Sequence, residues 1–157
     1  MSTKSATNAL DKIHQQVMWN RLIAVVEEQA QTILRTAFGS VVREAGDLSA
    51  GIYDLEGRMI AQAVTGTPGH VNTMARAVEH FLTHYPVDQM KQGDVYVTND
   101  PWLGTGHLFD FVVVSPAYYG GEPTALFAST CHVIDVGGRG FSAEAKSIYE
   151  EGILIPH

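Results

Sequence analysis

Residues 110–132 read DFVVVSPAYYGGEPTALFASTCH, and this pattern decides the fold. Phe111–Tyr119 and Thr124–His132 are rich in β-branched and aromatic residues, the types that fit a pleated surface. Gly120-Gly121-Glu122 between them reads as a turn, so the stretch predicts a β-hairpin. Counting outward from that turn places Asp110 opposite His132 or, one residue out of register, Cys131. Directly paired residues hold their Cβ atoms about 4.5–5.5 Å apart, close enough for two side chains to share one cation. His107 lies three residues before Asp110, in a glycine-rich loop able to bend back over the strand end.

Two imidazoles and a carboxylate suit a divalent transition metal such as zinc, manganese or iron. Three protein ligands would leave a position open for water or substrate, as a catalytic site requires. Asp47, at the entry to an earlier strand, is a further candidate oxygen ligand. The same histidines would serve equally well as hydrogen-bonding residues near a sheet edge, and spacing alone does not choose. Cys131 points to the opposite face of its strand from His132 and reads as a buried, inert thiol. The run Val136-Gly137-Gly138-Arg139-Gly140 could cradle an anion through backbone amides, but it carries no nucleotide-loop pattern.

Upstream, Leu10–Phe38 is patterned as one long helix. Met18, Leu22, Val25, Ala30, Ile33 and Ala37 form its apolar stripe, and Gln15, Gln16, Glu27, Glu28 and Gln31 its polar face. Asn8 and Asp11 are candidate caps, and Gly39 a stop. A helix of that length tends to pack along a larger body. Ala50–Tyr53 and Met59–Val64 flank an acidic turn at 54–58 and read as a second hairpin. A loop carrying His70 follows. Next comes a helix with Val71, Met74, Ala75, Val78, Phe81 and Leu82 on one face, capped by Asn72 or Thr73 and ended by Pro86. His80 and His84 share a face of that helix, but no acid completes a metal motif there.

Asp94–Thr98 alternates as a strand, and Asn99-Asp100-Pro101 reads as a turn. Ser142–Gly152 predicts a short helix, and Ile153–His157 the start of a strand that stops within an apolar run. The expected class is α+β, with a long N-terminal helix, a β-hairpin, a second helix and antiparallel strands carrying the metal site. Residues 1–39 would be the packing helix, 46–138 the metal-site core and 139–157 an incomplete C-terminal segment. Together they make a single domain or the N-terminal segment of a larger subunit.

At 157 residues the chain can bury a sizeable core. Ten scattered basic residues and a net charge of −7 argue against nucleic acid, whose binding rests on neutralised phosphates. A single cysteine excludes an internal disulfide. No signal-peptide pattern and no membrane-length apolar run is visible, so the expected location is the cytoplasm.

Several longer runs share one pattern. They are GDVYVTNDP at 93–101, GTGHLxD at 104–110, HxxDVGG at 132–138 and YxEGIxIP at 149–156. Asp47-Leu48-Ser49, Tyr53–Arg58 and Pro68-Gly69-His70 reinforce them. In these the sequence resembles the hydantoinase B/oxoprolinase family, which comprises subunits of ATP-dependent ring-amide hydrolases and of ketone carboxylases. The resemblance implies His107, Asp110 and His132 as metal ligands, with Asp47 a possible fourth. His70 and Asp135 become catalytic candidates on the substrate side. It implies zinc or manganese in this chain, with ATP and Mg in a hydantoinase A-type partner that phosphorylates a small-molecule substrate. Members are several times longer, so the resemblance covers the N-terminal part, and another chain or further sequence is expected to supply the rest.

Overall fold

The computed structural model describes residues 3–157, with side chains from residue 9 onward. The elements are α1 (Thr3–Thr36), α2 (Ser40–Ala45), β1 (Leu48–Tyr53), β2 (Met59–Gln62), α3 (Pro68–His84), β3 (Tyr96–Thr98), β4 (Asp110–Tyr119), β5 (Glu122–His132) and α4 (Ile148–Glu151). The five strands form one sheet in the order β2-β1-β5-β4-β3, and every pairing is antiparallel. The α+β class expected from the sequence is the class observed.

Alternation along β4 and β5 sorts the core into two layers. Val112, Val114, Leu126 and Ala128 point to one face and pack against Met74, Ala77, Val78 and Phe81 of α3. Phe127 and Cys131 point to the other, toward Val26 and Ala30 of α1. β1 is buried along its whole length because it lies between the two helices: Tyr53 joins the α3 layer, while Leu48, Ala50 and Ile52 join the α1 layer. Asp110 and His132 keep the parity of Val112 and Ala128, so the fold commits both to the α3 face.

The β4–β5 register decides which residue meets Asp110. Next to the turn Tyr119 faces Glu122 and Tyr118 faces Pro123, but Ala117 faces Ala125. One extra residue on β5 forms a bulge there, and beyond it Asp110 pairs with His132 rather than Cys131.

Several boundaries differ from the sequence reading. α1 begins by Thr3 and ends at Thr36, so Asn8 and Asp11 are interior positions; the side chain of Asn8 lies outside the described residues. Gly39 precedes a short helix, α2, that the periodicity does not announce. The buried stripe of α1 runs through Leu22, Val26, Ala30 and Ile33, while Met18 and Val25 are exposed. α3 starts at Pro68 with Thr67 before it, so Asn72 and Thr73 are not its caps and His70 sits in its first turn, not in a loop. The predicted C-terminal helix contracts to Ile148–Glu151, and Ile153–Ile155 joins no sheet.

That last segment is tied down by Asn99, which is fully buried and no simple turn residue. Its Nδ2 donates to the carbonyls of Leu108 and Ile153, and its Oδ1 accepts from Ile155 N at 2.6 Å. The glycines at 137–138 serve a neighbouring approach. Gly137 bridges Gly152, and a Cβ on Gly138 would collide with the backbone of Glu151.

Candidate metal centre

Asp110 opens β4, is fully buried, and is the hub of the site. His132, at the far end of β5, brings Nδ1 to 3.2 Å from Asp110 Oδ1 across the strand pair. His107 reaches from the loop before β4 and brings Nε2 to 3.3 Å from Oδ2. His70, on the first turn of α3 above the same face, brings Nε2 to 3.0 Å from Oδ2. Pairing of β1 with β5 puts Leu48 opposite Cys131 and therefore Asp47 beside His132. The Asp47 carboxylate lies 3.6 Å from His70 Nε2 and 3.6 Å from His132 Nδ1.

The result is two ligand groups that share one carboxylate. His107, Asp110 and His132 form the first, and Asp47, His70 and Asp110 the second. Among the described residues these are the clusters of suitable donors. The three histidines and Asp110 were brought together as the sequence led one to expect for His107 and His132. The entry of His70 and Asp47 depends on long-range packing.

The geometry of the contacts is informative. Asp110 Oδ2 has imidazole nitrogens at 3.0 and 3.3 Å, yet neither is aligned for a hydrogen bond, and Oδ2 has no hydrogen-bond partner although buried. Donor atoms crowded around Oδ2 with its lone pairs unused are disposed as ligands around a common centre would be, while Asp110 Oδ1 and His132 Nδ1 form a hydrogen bond. The residues present therefore fit a divalent transition metal, with an imidazole and carboxylate donor set of the borderline kind.

Burial pushes the Asp110 carboxyl up, but contact with His70 and the charges of His107 and His70 outweigh it and hold it below the usual carboxylate range. The Asp110 contact raises His70 above the usual imidazole value against the opposing effect of burial, and the charges of Asp110 and Asp47 add to it. The rings are fixed by packing. Phe109 stacks on His132 at 5.5 Å between centroids, and Phe141 meets His107 and His132 at 5.1 and 5.3 Å. The outer nitrogens of His70 and His107 are buried and find no hydrogen-bond partner among the described residues.

Asp47 is held by Thr67, whose hydroxyl donates to Oδ1 at 2.8 Å. The Thr67 loop is held in turn by Glu27, a residue the sequence reading left on the polar face of α1. Its carboxylate accepts from the backbone N–H groups of Val64 and Thr65 and from the Thr65 hydroxyl. These contacts hold the Glu27 carboxyl well down, at about 2. Gln31 joins the same loop through Thr65. Their partners are more than 30 residues distant in sequence, and nothing local signals them.

Other candidates fall elsewhere. Asp135 is exposed, and its Oδ1 accepts from Gly137 N in a local turn. It belongs to neither ligand group but lines the hollow that reaches His132. His84 donates from Nδ1 to the His80 carbonyl, and the His80–His84 pair joins neither group. The Cys131 thiol is pushed up by burial and by the charges of Asp110 and Asp47, as an inert thiol would be. No described helix is long and apolar enough to cross a membrane.

A histidine–aspartate cluster of metal-site type, set on an antiparallel sheet between two helices, thus defines the class. The chain belongs to the hydantoinase B/oxoprolinase family, whose model matches residues 11–157. It is 35% identical to the 5-oxoprolinase PfmaA of Pestalotiopsis fici over 142 residues, 88% of this chain and 11% of that protein. It is 31% identical to the caprolactamase subunit beta of Pseudomonas jessenii over 154 residues, 95% of this chain and 26% of that one. Its fold matches a nucleotide-free structure of acetone carboxylase with a TM-score of 0.77 and 25% identity, covering 92% of this chain and 19% of the other. The chain thus spans between about a tenth and a quarter of the length of these relatives.

Proposed function

We propose that the chain is the metal-holding part of an ATP-dependent cyclic amide hydrolase acting on hydantoin, lactam or oxoproline-like rings. The observation that carries this reading is the convergence of His70 and His107 on Asp110 Oδ2 without hydrogen-bond alignment. Asp47, His107, Asp110 and His132 would hold a divalent transition metal, zinc or manganese, and His70 stands against the same carboxylate. When bound, such a cation supplies Lewis-acid chemistry, polarising a carbonyl oxygen and acidifying water.

The chain's own residues set the conditions for that chemistry. Asp110, buried and ionised, neutralises charge where water is scarce. His70, raised by that carboxylate, is the group in the cluster suited to carry a proton toward a departing ring nitrogen. Phe109 and Phe141 limit water around the imidazoles. Asp135 borders the hollow beside His132, where it could meet substrate. ATP chemistry would fall to a hydantoinase A-type partner, as the family resemblance implies.

A ketone carboxylase subunit is the second reading, favoured by the fold likeness to acetone carboxylase. Both reactions need a positive centre facing an oxyanion. The test is ATP consumption by the assembled complex with hydantoins, lactams and ketones, with and without bicarbonate. Bicarbonate-independent ring opening supports the first reading, and bicarbonate-dependent turnover of a ketone replaces it with the second. Elemental analysis of the wild type and of His107→Ala examines the metal directly, and a well-folded complex devoid of metal would remove the site.

A further inference from the structure

Thr67 stands at a helix start and does not cap it. It immediately precedes α3, where a threonine oxygen ordinarily accepts from the second or third N–H of the helix. Here the side chain makes no such bond. The start is set instead by Pro68, whose fixed φ suits a first turn. His70 N donates to the main-chain carbonyl of Thr67 at 3.0 Å.

The hydroxyl is turned the other way. It donates to Asp47 Oδ1 at 2.8 Å, with a longer contact of 3.4 Å to the Gly46 carbonyl. A hydroxyl has one proton to give, and the shorter contact to the carboxylate takes it. The main chain of Thr67 binds the same stretch. Its N–H donates to the Leu48 carbonyl at 2.7 Å, and its carbonyl accepts from Ser49 Oγ at 3.2 Å. Gly66 permits that close approach: its φ is 146°, and a Cβ there would lie 2.5 Å from the Leu48 carbonyl oxygen.

The two oxygens of Asp47 are thereby made unequal. Oδ1 carries the Thr67 hydroxyl and lies 3.6 Å from His70 Nε2, while Oδ2 lies 3.6 Å from His132 Nδ1. Asp47 precedes β1 and its side chain is partly exposed, so packing alone does not hold it as it holds the buried Asp110.

We infer that Thr67 is a positioning residue for the metal centre. Its hydroxyl locks the Asp47 carboxylate with Oδ2 as the ligand oxygen, and its main chain ties that orientation to the turn of α3 that carries His70. The inference rests on the reading of Asp47 as a metal ligand and deepens it. Ligating carboxylates are in turn hydrogen-bonded, and such partners tune the metal affinity.

Zinc affinity of the full chain, measured by competition with a chromophoric chelator, tests it in Thr67→Val, Thr67→Ser, Asp47→Ala and the Asp47→Ala/Thr67→Val pair. Valine keeps the shape and removes the hydroxyl, whereas serine keeps the hydroxyl. Thr67→Val should weaken zinc by about 10–100-fold, and Thr67→Ser should bind as the wild type does. On the Asp47→Ala background Thr67→Val should cost nothing further, because a residue acting through Asp47 has nothing left to act on. Unchanged affinity in Thr67→Val overturns the inference. So does a Thr67→Ser as weak as Thr67→Val, or an undiminished effect of Thr67→Val on the Asp47→Ala background. Wild-type affinity in Asp47→Ala removes Asp47 from the ligands and the inference with it. Thr67→Ala replaces Thr67→Val in the same comparison if the valine variant does not fold. A folded wild type that takes up no zinc fails the metal reading instead, and metal content measured on the same samples identifies that case.

Discussion

Asp110 is the residue around which the other site groups are arranged, and it does two jobs that a substitution can separate. Its charge holds His70 and His107 nearby, and its two oxygens face donors from four other segments. Asp110→Asn keeps the shape and removes the charge. Removing only an outer partner of a ligand typically costs roughly 10–100-fold in metal affinity, so loss of this carboxylate should lower affinity by more than that. Competition with a chromophoric chelator measures it, and unchanged affinity would show that the cluster is not a metal centre. Glu27 gives a second prediction at this scale. Glu27→Gln should destabilise the protein by about 2 kcal/mol, the order expected for hydrogen bonds to a charged group. Its folded pKa of about 2 lies below the ordinary value of 4.5, so its contribution is complete above that ordinary value and is lost as pH falls toward 2. The gap in Tm between wild type and Glu27→Gln should therefore be widest near neutrality and close in acid. A gap independent of pH would mean that the charge is irrelevant to the loop it holds. His107, Asp110 and His132 were legible in the sequence because one hairpin and one short loop gather them. Glu27 was not, because its acceptor role exists only after α1 has packed on the 63–67 loop.

Among the elements, the β4–β5 hairpin and the segment behind Asn99 carry the arrangement. Strand identity was readable from β-branched and aromatic runs, but the exact partner of Asp110 was not, since the bulge near Ala117 shifts the register by one residue. That shift decides whether an imidazole or a thiol faces the carboxylate. Asp47 and His70 became neighbours through β1–β5 pairing and through the placement of α3 over the sheet, neither of which has a local signature. Likewise Asn99 looked like a turn residue because its partners lie 54–56 positions away or across the His107 loop. Asn99→Ala removes three hydrogen bonds in a buried setting and should cost roughly 2–4 kcal/mol. Its effect should also be local: exchange of the Ile155 amide, which Asn99 Oδ1 accepts, should accelerate more than exchange within α3. Uniform acceleration would indicate a general loss of stability and no specific clamp. Because the Leu108 carbonyl is held by the same side chain, the variant should loosen the loop carrying His107 and weaken metal binding as well.

Over the whole molecule, the site is where five segments of the chain meet through polar groups. Its donors come from the entry to β1, the first turn of α3, the loop before β4, the start of β4 and the end of β5. They bring carboxylates and imidazoles together in a poorly solvated space, so the fold carries unused donor capacity at its centre. A ligand that binds the folded chain and not the unfolded one stabilises it by mass action, about 2.7 kcal/mol when present at a hundred times its Kd. For a chain of this length that corresponds to a rise in Tm of roughly 5–10 °C. Thermal unfolding followed with increasing zinc or manganese should therefore show a concentration-dependent rise, reversed by a chelator and lost in Asp110→Asn. The net charge of −7 makes a general cation effect conceivable, but such an effect would be shared by magnesium and screened by salt. A rise specific to transition metals and insensitive to moderate salt assigns the stabilisation to the cluster. An equal rise with magnesium, or the same rise in Asp110→Asn, would place it on the acidic surface and leave the five residues as a hydrogen-bonded core.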